Sequence, residues 1–391
     1  MKRVFSMAVD DKKIQIINYL NHEIPYYKAH KFVEWEDIEI IDKKKIQNNY
    51  KEFTRENLNM SNIFVTHTSG SSGNSLRLIK DVSIERRKNI KLWRYRNVIN
   101  KEIFSSNLLY FYRNFENVSR DNVFIYDSES EELDLSKQNL KRQLTLLKDF
   151  QFESIMGPPT ALNEFSIYCF EENIYFENVK YIELFGEYLY ESIIQNIRNV
   201  FNNAKIVNHY GVREVGTIAI GVDSDNLFII DDNILVEIVD DYGRVINECG
   251  KAGRIIVSSL YKEPMSFIRY DTGDTGMWRD LYNSFSLIHG RTSVKFRIGS
   301  RLITSAFFDT LFARIERDYP NSIDEFSVVQ KKIDNININI KTGRKYVDSV
   351  LEYIVNSINE VGIIQIKIKL VKELAYNKSG KYIRYISIFE S

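Results

Sequence analysis

The sequence predicts an α/β chain: a large N-terminal domain of α/β layers with a β-rich subdomain, then a small C-terminal α+β domain. Three observations predict it. Between about 107 and 211, short apolar runs alternate with helical stretches, the pattern of an α/β layer with a largely buried sheet. From about 226 to 304, short β-like runs follow in quick succession, broken by Gly, Asp and Asn turns. After about residue 300 the alternation of helix and strand resumes on a smaller scale, enough for a unit of about ninety residues.

Apolar positions fall at helical spacing in 11–21 and 84–100, so both segments are expected as helices. The runs NLLYFY (107–112), NVFIYD (122–127), VKYIELF (179–185) and AKIVNHYG (204–211) are expected as strands, with helices near 136–149 and 190–201 among them. Within the β-rich stretch the candidate strands are LFII, ILVEIV, GRIIVSSL, MSFIRY, SFSLIHG and VKFRIG. The final portion predicts a helix near 305–318, strands in EFSVVQKK and NININIK, a helix near 346–358, and strands in IIQIKIKLV and YIRYISIF.

Length and charge narrow the function. A chain of 391 residues suggests two or three domains with a sizeable core. Its 53 basic residues balance 53 acidic ones, which argues against a nucleic acid or an anionic membrane face as partner. Two cysteines, Cys169 and Cys249, make no disulfide framework and no zinc-type spacing. The first residues lack the apolar core of a signal peptide, and no run of about 18 apolar residues suggests a membrane span. A cytoplasmic protein is expected.

Five segments carry candidate chemistry. Thr68-Ser69-Gly70-Ser71-Ser72-Gly73, between strand-like NIFV and LRLIK, has the composition of an anion cradle: glycines turn backbone N–H groups inward and hydroxyls add donors. A flexible Ser/Gly hairpin tip is the competing reading, and no Walker G-K-[ST] closes the loop. In Asn208-His209-Tyr210-Gly211-Val212-Arg213-Glu214, the tyrosine at a strand end suits a purine face and the glutamate suits magnesium. A buried tyrosine with a surface glutamate is the plainer reading. Asp274 in IRYDTGD offers two oxygens to the hydroxyls of a ribose, or closes an ordinary turn. Arg291 in HGR and Lys381 in NKSGKYIR are basic turn residues, suited to phosphate or to solvent.

Their order is more telling than any one of them. TSGSSG, GE (186–187), NHYGVREVG, IRYDTGD, HGR and NKSGKYIR resemble the motif series of the adenylate-forming superfamily of acyl-CoA synthetases, peptide-synthetase adenylation domains and luciferases. The nearest likeness is to the phenylacetate–CoA ligase-like, capsule-biosynthesis branch. HEIPYYKAHKF, IDKKKIQNNYKEF, Gly157-Pro158-Pro159 and Glu183-Leu184-Phe185-Gly186-Glu187 extend it over nearly the whole chain.

The resemblance implies the adenylate-forming ligase fold, with an adenylation core at 1–291 and a mobile lid at 292–391. It implies ATP-dependent conversion of a carboxylic acid to acyl-AMP with release of pyrophosphate, then transfer to a thiol. ATP, Mg²⁺, and CoA or phosphopantetheine are the implied cofactors. Carried over by position, Thr68, Ser69, Gly70, Ser71, Ser72 and Gly73 would hold the β- and γ-phosphates, and Gly186 and Glu187 would line the adenine side. Tyr210, followed by Gly211, would stack on the base. Glu214 would bind Mg²⁺, Asp274 the ribose with help from Arg291, and Lys381 would be the mobile catalytic lysine. Such chemistry needs positioning and charge neutralisation more than a proton-transfer residue.

Two features depart from that pattern. Asn74, Ser75, Leu76 and Arg77 stand where many relatives have a Pro-Lys pair, and Thr292, Ser293 and Val294 replace the hinge aspartates. Aromatic and apolar residues in LLYFYRNF and IMGPPTAL suit a small aryl or apolar acid, with a structural core as the other reading. Three alternatives accompany CoA ligation: loading of a carrier-protein arm or an amine, acyl transfer to a protein cysteine, and a non-catalytic nucleotide-binding relative.

Overall fold

A computed structural model of the chain describes residues 2–68, 76–111, 122–127, 134–288, 294–299, 301–305, 307–308, 311–312, 315, 319, 322–342, 347–372, 374 and 384–388. Helices α1 (Lys2–Glu23), α2 (Pro25–His30) and α3 (Lys43–Asn48) lead into an antiparallel hairpin, β1 (Ile63–His67) and β2 (Arg77–Asp81). Asp81 ends β2 and starts α4 (Val82–Ile99): its carboxylate accepts from the N–H groups of Ser83 (2.8 Å) and Ile84 (3.0 Å), which would otherwise lack helical partners.

The main sheet begins with parallel strands β3 (Leu108–Tyr110), β4 (Val123–Ile125), β5 (Ser154–Gly157), β6 (Tyr181–Phe185) and β7 (Lys205–Val212). Three helices are interleaved with them: α5 (Lys137–Leu146), α6 (Pro159–Glu171) and α7 (Glu191–Val200). Ile155, Ile182 and Leu184 pack on Phe165, Ile197 and Phe201 in one layer, while Met156, Tyr181 and Val207 pack on Leu92 of α4 in another. Residues of opposite parity thus face opposite layers, as the pleat requires.

At β7 the sheet changes character. β8 (Gly216–Val222) is antiparallel to it, and the sheet continues through β9 (Leu227–Ile229), β13 (Ser284–Ile288), β12 (Tyr270–Asp280), β11 (Ala252–Ser259) and β10 (Ile234–Val239). This half buries Trp278, Phe267 and Phe285 in a core that also takes Ile16, Leu20 and Tyr27 from α1 and α2. The α/β layer and most of the β-rich stretch expected from the sequence are therefore two halves of one sheet; of the expected strands, MSFIRY becomes strand only at Tyr270, and VKFRIG joins a separate hairpin.

The C-terminal portion has its own core. β14 (Lys295–Ile298) pairs with β15 (Arg301–Thr304), and β16 (Glu325–Lys332), β17 (Asn335–Lys341), β18 (Gln365–Val371) and β19 (Tyr385–Ser387) form a four-stranded sheet. Helix α8 (Val347–Val361) buries Val350, Ile354 and Ile358 against Ile336, Ile338 and Ile340, the alternate positions of NININIK. The expected helix near 305–318 and the 291/292 boundary fall largely or wholly outside the described residues.

Among the described residues, Lys341 and Arg384 reach from this portion to α6 and to Tyr190, the N-cap of α7. Lys341 Nζ lies 2.5 Å from Glu164 of α6, and the Arg384 guanidinium covers the Tyr190 ring at 4.4 Å. Behind Lys341 sits Glu325, 6% exposed, whose carboxyl is pushed up to about 7. Burial is the chief cause, and Glu164 and Glu187 add to it against the pull of Lys341. A glutamate with a raised folded pKa keeps its proton while the unfolded chain loses one, so this group lowers stability as pH rises from about 4.5 to about 7. Glu325→Gln is expected to remove a pH-dependent loss on the order of 2–3 kcal/mol, measured by urea unfolding of both proteins at pH 5 and pH 8.

Candidate active site

The hairpin β1–β2 carries the Ser/Gly loop at its tip. Thr68 closes the mouth of that loop: its N–H donates to Leu76 O (2.9 Å), and its Oγ1 accepts from Leu76 N (2.9 Å). The side chain expected on phosphate thus also sets the width of the loop's base. Ser69, Gly70, Ser71, Ser72 and Gly73 lie outside the described residues, as do Arg291 and Lys381.

The turn between β7 and β8 is fastened to this hairpin. Arg213 donates from Nη1 to Thr66 Oγ1 and to His67 O, each at 3.1 Å. Gly211 lies where the turn narrows: a Cβ there would sit 2.7 Å from Gly216 O, too close for any side chain. Glu214, next in the turn, is buried. Its Oε1 accepts from the Tyr270 hydroxyl at 2.7 Å, and its backbone carbonyl accepts from the buried Lys80 ammonium.

Lys80 belongs to a neutral cluster. Its Nζ is 3.4 Å from Glu263, which is fully buried, accepts from Ser259 Oγ (2.6 Å) and pairs with Lys88 (2.9 Å). Lys88 also pairs with Glu85 at 2.9 Å. Burial works against ionisation of Glu263, yet Lys80 and Lys88 hold its carboxyl below the ordinary range.

Two residues from separate motifs meet beside this turn. The Tyr210 hydroxyl donates to Asp274 Oδ2 at 2.9 Å, across 64 positions of sequence. Asp274 stands within β12 at a register irregularity, where Gly273 takes φ +76° and Thr272 Oγ1 accepts from the Asp274 N–H at 3.1 Å; the turn expected here is a bulged stretch of strand. Tyr210 also meets the Phe285 ring edge-on at 5.8 Å, so the ring is anchored at both its edge and its hydroxyl. The structure therefore brings together Tyr210, Gly211, Glu214, Asp274 and the loop base at Thr68.

Gly186 and Glu187 follow the carboxyl end of β6, the side of a parallel sheet where ligands gather. Gly186 takes φ +83°, a left-handed conformation suited to glycine. Glu187 accepts from the Thr160 N–H (3.1 Å) and hydroxyl (2.8 Å), capping α6, whose N-cap is Pro158. Its carboxylate is thus turned towards α6 as well as standing beside the strand end.

Sequence reading missed a second cluster on the α4 side. Glu183 is fully buried, and Arg96 grips both its oxygens, from Nε at 2.8 Å and from Nη2 at 2.6 Å. Tyr181 donates to the same carboxylate, and His209 Nδ1 lies 2.6 Å from it. Although burial opposes it, Arg96 and His209 hold the Glu183 carboxyl far below its usual value. One signal was available: Glu183 is a charge inside the apolar run VKYIELF, where burial demands a partner.

Both cysteines are free, Cys249 exposed and Cys169 buried with its thiol pushed up to about 12 by desolvation. Neither property favours a thiolate acyl carrier at Cys169. Among the described residues no three His, Cys, Asp or Glu side chains converge as a metal cage, and no helix is long and apolar enough to cross a membrane. A single carboxylate with one oxygen left beside the Tyr270 bond suits Mg²⁺, which is commonly held by one or two carboxylates together with substrate phosphates.

No protein-family model and no curated protein matches the sequence. Solved structures do match. 2-Hydroxyisobutyryl-CoA ligase, in its postadenylation state with 2-HIB-AMP, superposes with a TM-score of 0.68 at 16% identity, covering 98% of this chain and 90% of that one. This chain has the adenylate-forming ligase fold. The same ligase with 2-HIB-AMP and CoA in its thioesterification state gives 0.59 at 16% identity, covering 97% and 89%. The o-succinylbenzoate–CoA synthetase of Bacillus subtilis, with ATP and magnesium, gives 0.55 at 15% identity over 82% of this chain and 68% of its own.

Arg96→Met would leave the Glu183 charge buried without its cation, and is expected to cost about 3–5 kcal/mol by urea unfolding at neutral pH. Because the folded pKa of Glu183 is depressed, its stabilisation is present above the ordinary value of 4.5 and fades as pH falls below it. The gap between wild type and variant is therefore expected to narrow in acid.

Proposed function

We propose that this protein activates a small carboxylic acid with ATP, giving acyl-AMP and pyrophosphate, and then transfers the acyl group to the thiol of CoA. The observation that carries the reading is the junction of three distant motifs. Tyr210 bonds Asp274, Tyr270 bonds Glu214, and Arg213 ties their turn to the hairpin that bears the Ser/Gly loop. Such a junction has a use if one ligand spans an aromatic ring, a pair of hydroxyls and a chain of phosphates, as ATP does.

In this reading Ser69, Gly70, Ser71, Ser72 and Gly73 supply donors to the β- and γ-phosphates, with Thr68 at the loop base. Tyr210, Gly186 and Glu187 bound the adenine, and Asp274 with Arg291 holds the ribose. Glu214 would hold Mg²⁺ through the oxygen that Tyr270 leaves available. When bound, Mg²⁺ offsets phosphate charge as pyrophosphate departs. Lys381 would bring its ammonium to the oxygens that exchange at the α-phosphate. The carboxylate is already a nucleophile, so none of these residues has to remove a proton in the first step; orientation and electrostatic stabilisation suffice.

Transfer to CoA is supported by the similar ligase solved with 2-HIB-AMP and CoA, and Mg·ATP use by the similar synthetase solved with both. The motif series favours the phenylacetate–CoA ligase-like branch, and ATP and reduced thiols favour the cytoplasm. Acid-dependent ATP–pyrophosphate exchange across a panel of small acids tests the reading. Exchange is expected with one acid class, and Lys381→Ala is expected to lower it by at least about 100-fold. Exchange that is equally fast in Lys381→Ala would remove the lysine from the chemistry; no exchange with any acid would overturn the reading.

A further inference from the structure

Helix α4 has two working sides. Lys88 and Arg96 reach Glu263 and Glu183, in the clusters described above. Val82, Arg86, Ile90 and Trp93, spaced four, four and three residues apart, form a second stripe, which lines an open groove of about 780 Å³. The other wall includes Phe104 and the first residues of β3 and β4, Leu108 and Val123. Gly186 follows the carboxyl end of β6, whereas this groove meets the amino ends of β3 and β4, so it is separate from the candidate nucleotide site.

The lining is apolar, and its charge has one sign. Phe64, Ile90 and Phe104 are 43%, 46% and 62% exposed, and Phe104 stacks on Trp93 at 5.5 Å. Apolar side chains gathered in this way on an open surface mark a place where something binds. Arg86 and Arg94 line the groove and are exposed, and among the described residues neither is engaged in an ion pair. The one acid in the lining among the described residues, Glu85, is already held by Lys88 at 2.9 Å.

Size and charge choose the occupant. The volume falls inside the range of about 300–1,000 Å³ usual for small-molecule sites. From Val82 to Trp93 the stripe runs roughly 17 Å along the helix, which suits an elongated body. Guanidinium groups pair with carboxylates by charge-assisted hydrogen bonds. A second copy of this chain would set the same arginines against each other, and such like-charge contacts are costly.

We infer that this groove is a second ligand site, which takes an elongated apolar carboxylate: its chain lies along Ile90, Trp93 and Phe104, and its anionic end is held by the arginines. The site stands apart from the adenylation reading and does not rest on it.

Calorimetric titration of the full chain with hexanoate, octanoate, decanoate, decanol and decylamine tests it. Decanoate is expected to bind, with affinity rising about three- to fourfold per methylene from hexanoate upward. Decanol and decylamine are expected to bind at least about tenfold more weakly than decanoate. The double variant Arg86→Gln with Arg94→Gln is expected to weaken decanoate by at least about tenfold, and Ile90→Asp to do the same by placing a like charge in the groove. All three side chains are exposed, so an unchanged urea midpoint is expected to accompany the loss. Of the three tryptophans, Trp35 and Trp278 are buried and Trp93 is half-buried, so decanoate is also expected to shift the emission of Trp93. Decanoate binding that is as tight in these variants as in the wild type would place the anion elsewhere, the candidate acid site included, and overturn the inference. Equal affinity for decanol or decylamine, or no binding of decanoate, would overturn it too. Each of these results leaves adenylation standing.

Discussion

The Lys80–Glu263 pair holds the rest of the site in place. Neither charge is accessible to water, and a buried ion costs several kcal/mol unless its partner is present. The pair therefore forms only when β2, α4 and the 259–263 segment have assembled, and Lys80 then places its remaining hydrogens on the backbone of Glu214. The turn that carries the candidate magnesium ligand is thus fixed from beneath by charge, from the side by Arg213 and from above by Tyr270. Preorganisation of this kind lets a single carboxylate serve where a cage of several is absent among the described residues.

Sheet topology explains why the site lies where it does. β7 is parallel to β6 and antiparallel to β8, so it is the last strand of one sheet style and the first of another. Its carboxyl end holds His209, Tyr210 and Gly211 together, with alternate side chains directed to different layers. Tyr210 turns to the antiparallel half and Asp274; His209 turns to α4 and Glu183. One strand end thereby joins the Tyr210–Asp274 half of the candidate site to the Glu183 cluster.

Much of this was legible in the sequence, and the reasons for the gaps are physical. The strands around 107–127 and 179–211, the hairpin about the Ser/Gly loop and the helix at 84–100 follow from local apolar periodicity, which needs no partner to be read. Tyr210, Glu214 and Asp274 are legible through the order of their motifs along the chain, each being ambiguous alone. Their mutual bonds are not, because Tyr210 and Asp274 are 64 residues apart and Lys80 and Glu263 are 183 apart. Lys80 closes the run LRLIK like any strand-end lysine; only the fold shows that it is buried. Glu187 was read as part of a motif, and its capping of α6 depended on where Thr160 came to lie. The cluster about Glu183 was hidden for the same reason: its members come from α4, β6 and β7.

The claim on which the rest stands is that the turn at Glu214 is a magnesium-assisted nucleotide site. Calorimetric titration of ATP into the full chain, with Mg²⁺ and with EDTA, tests it without knowledge of the acid. Binding is expected to weaken by at least about tenfold when Mg²⁺ is withheld, and Glu214→Gln is expected to abolish that difference. Equal ATP affinity with and without Mg²⁺, or a magnesium dependence that survives in Glu214→Gln, would contradict it.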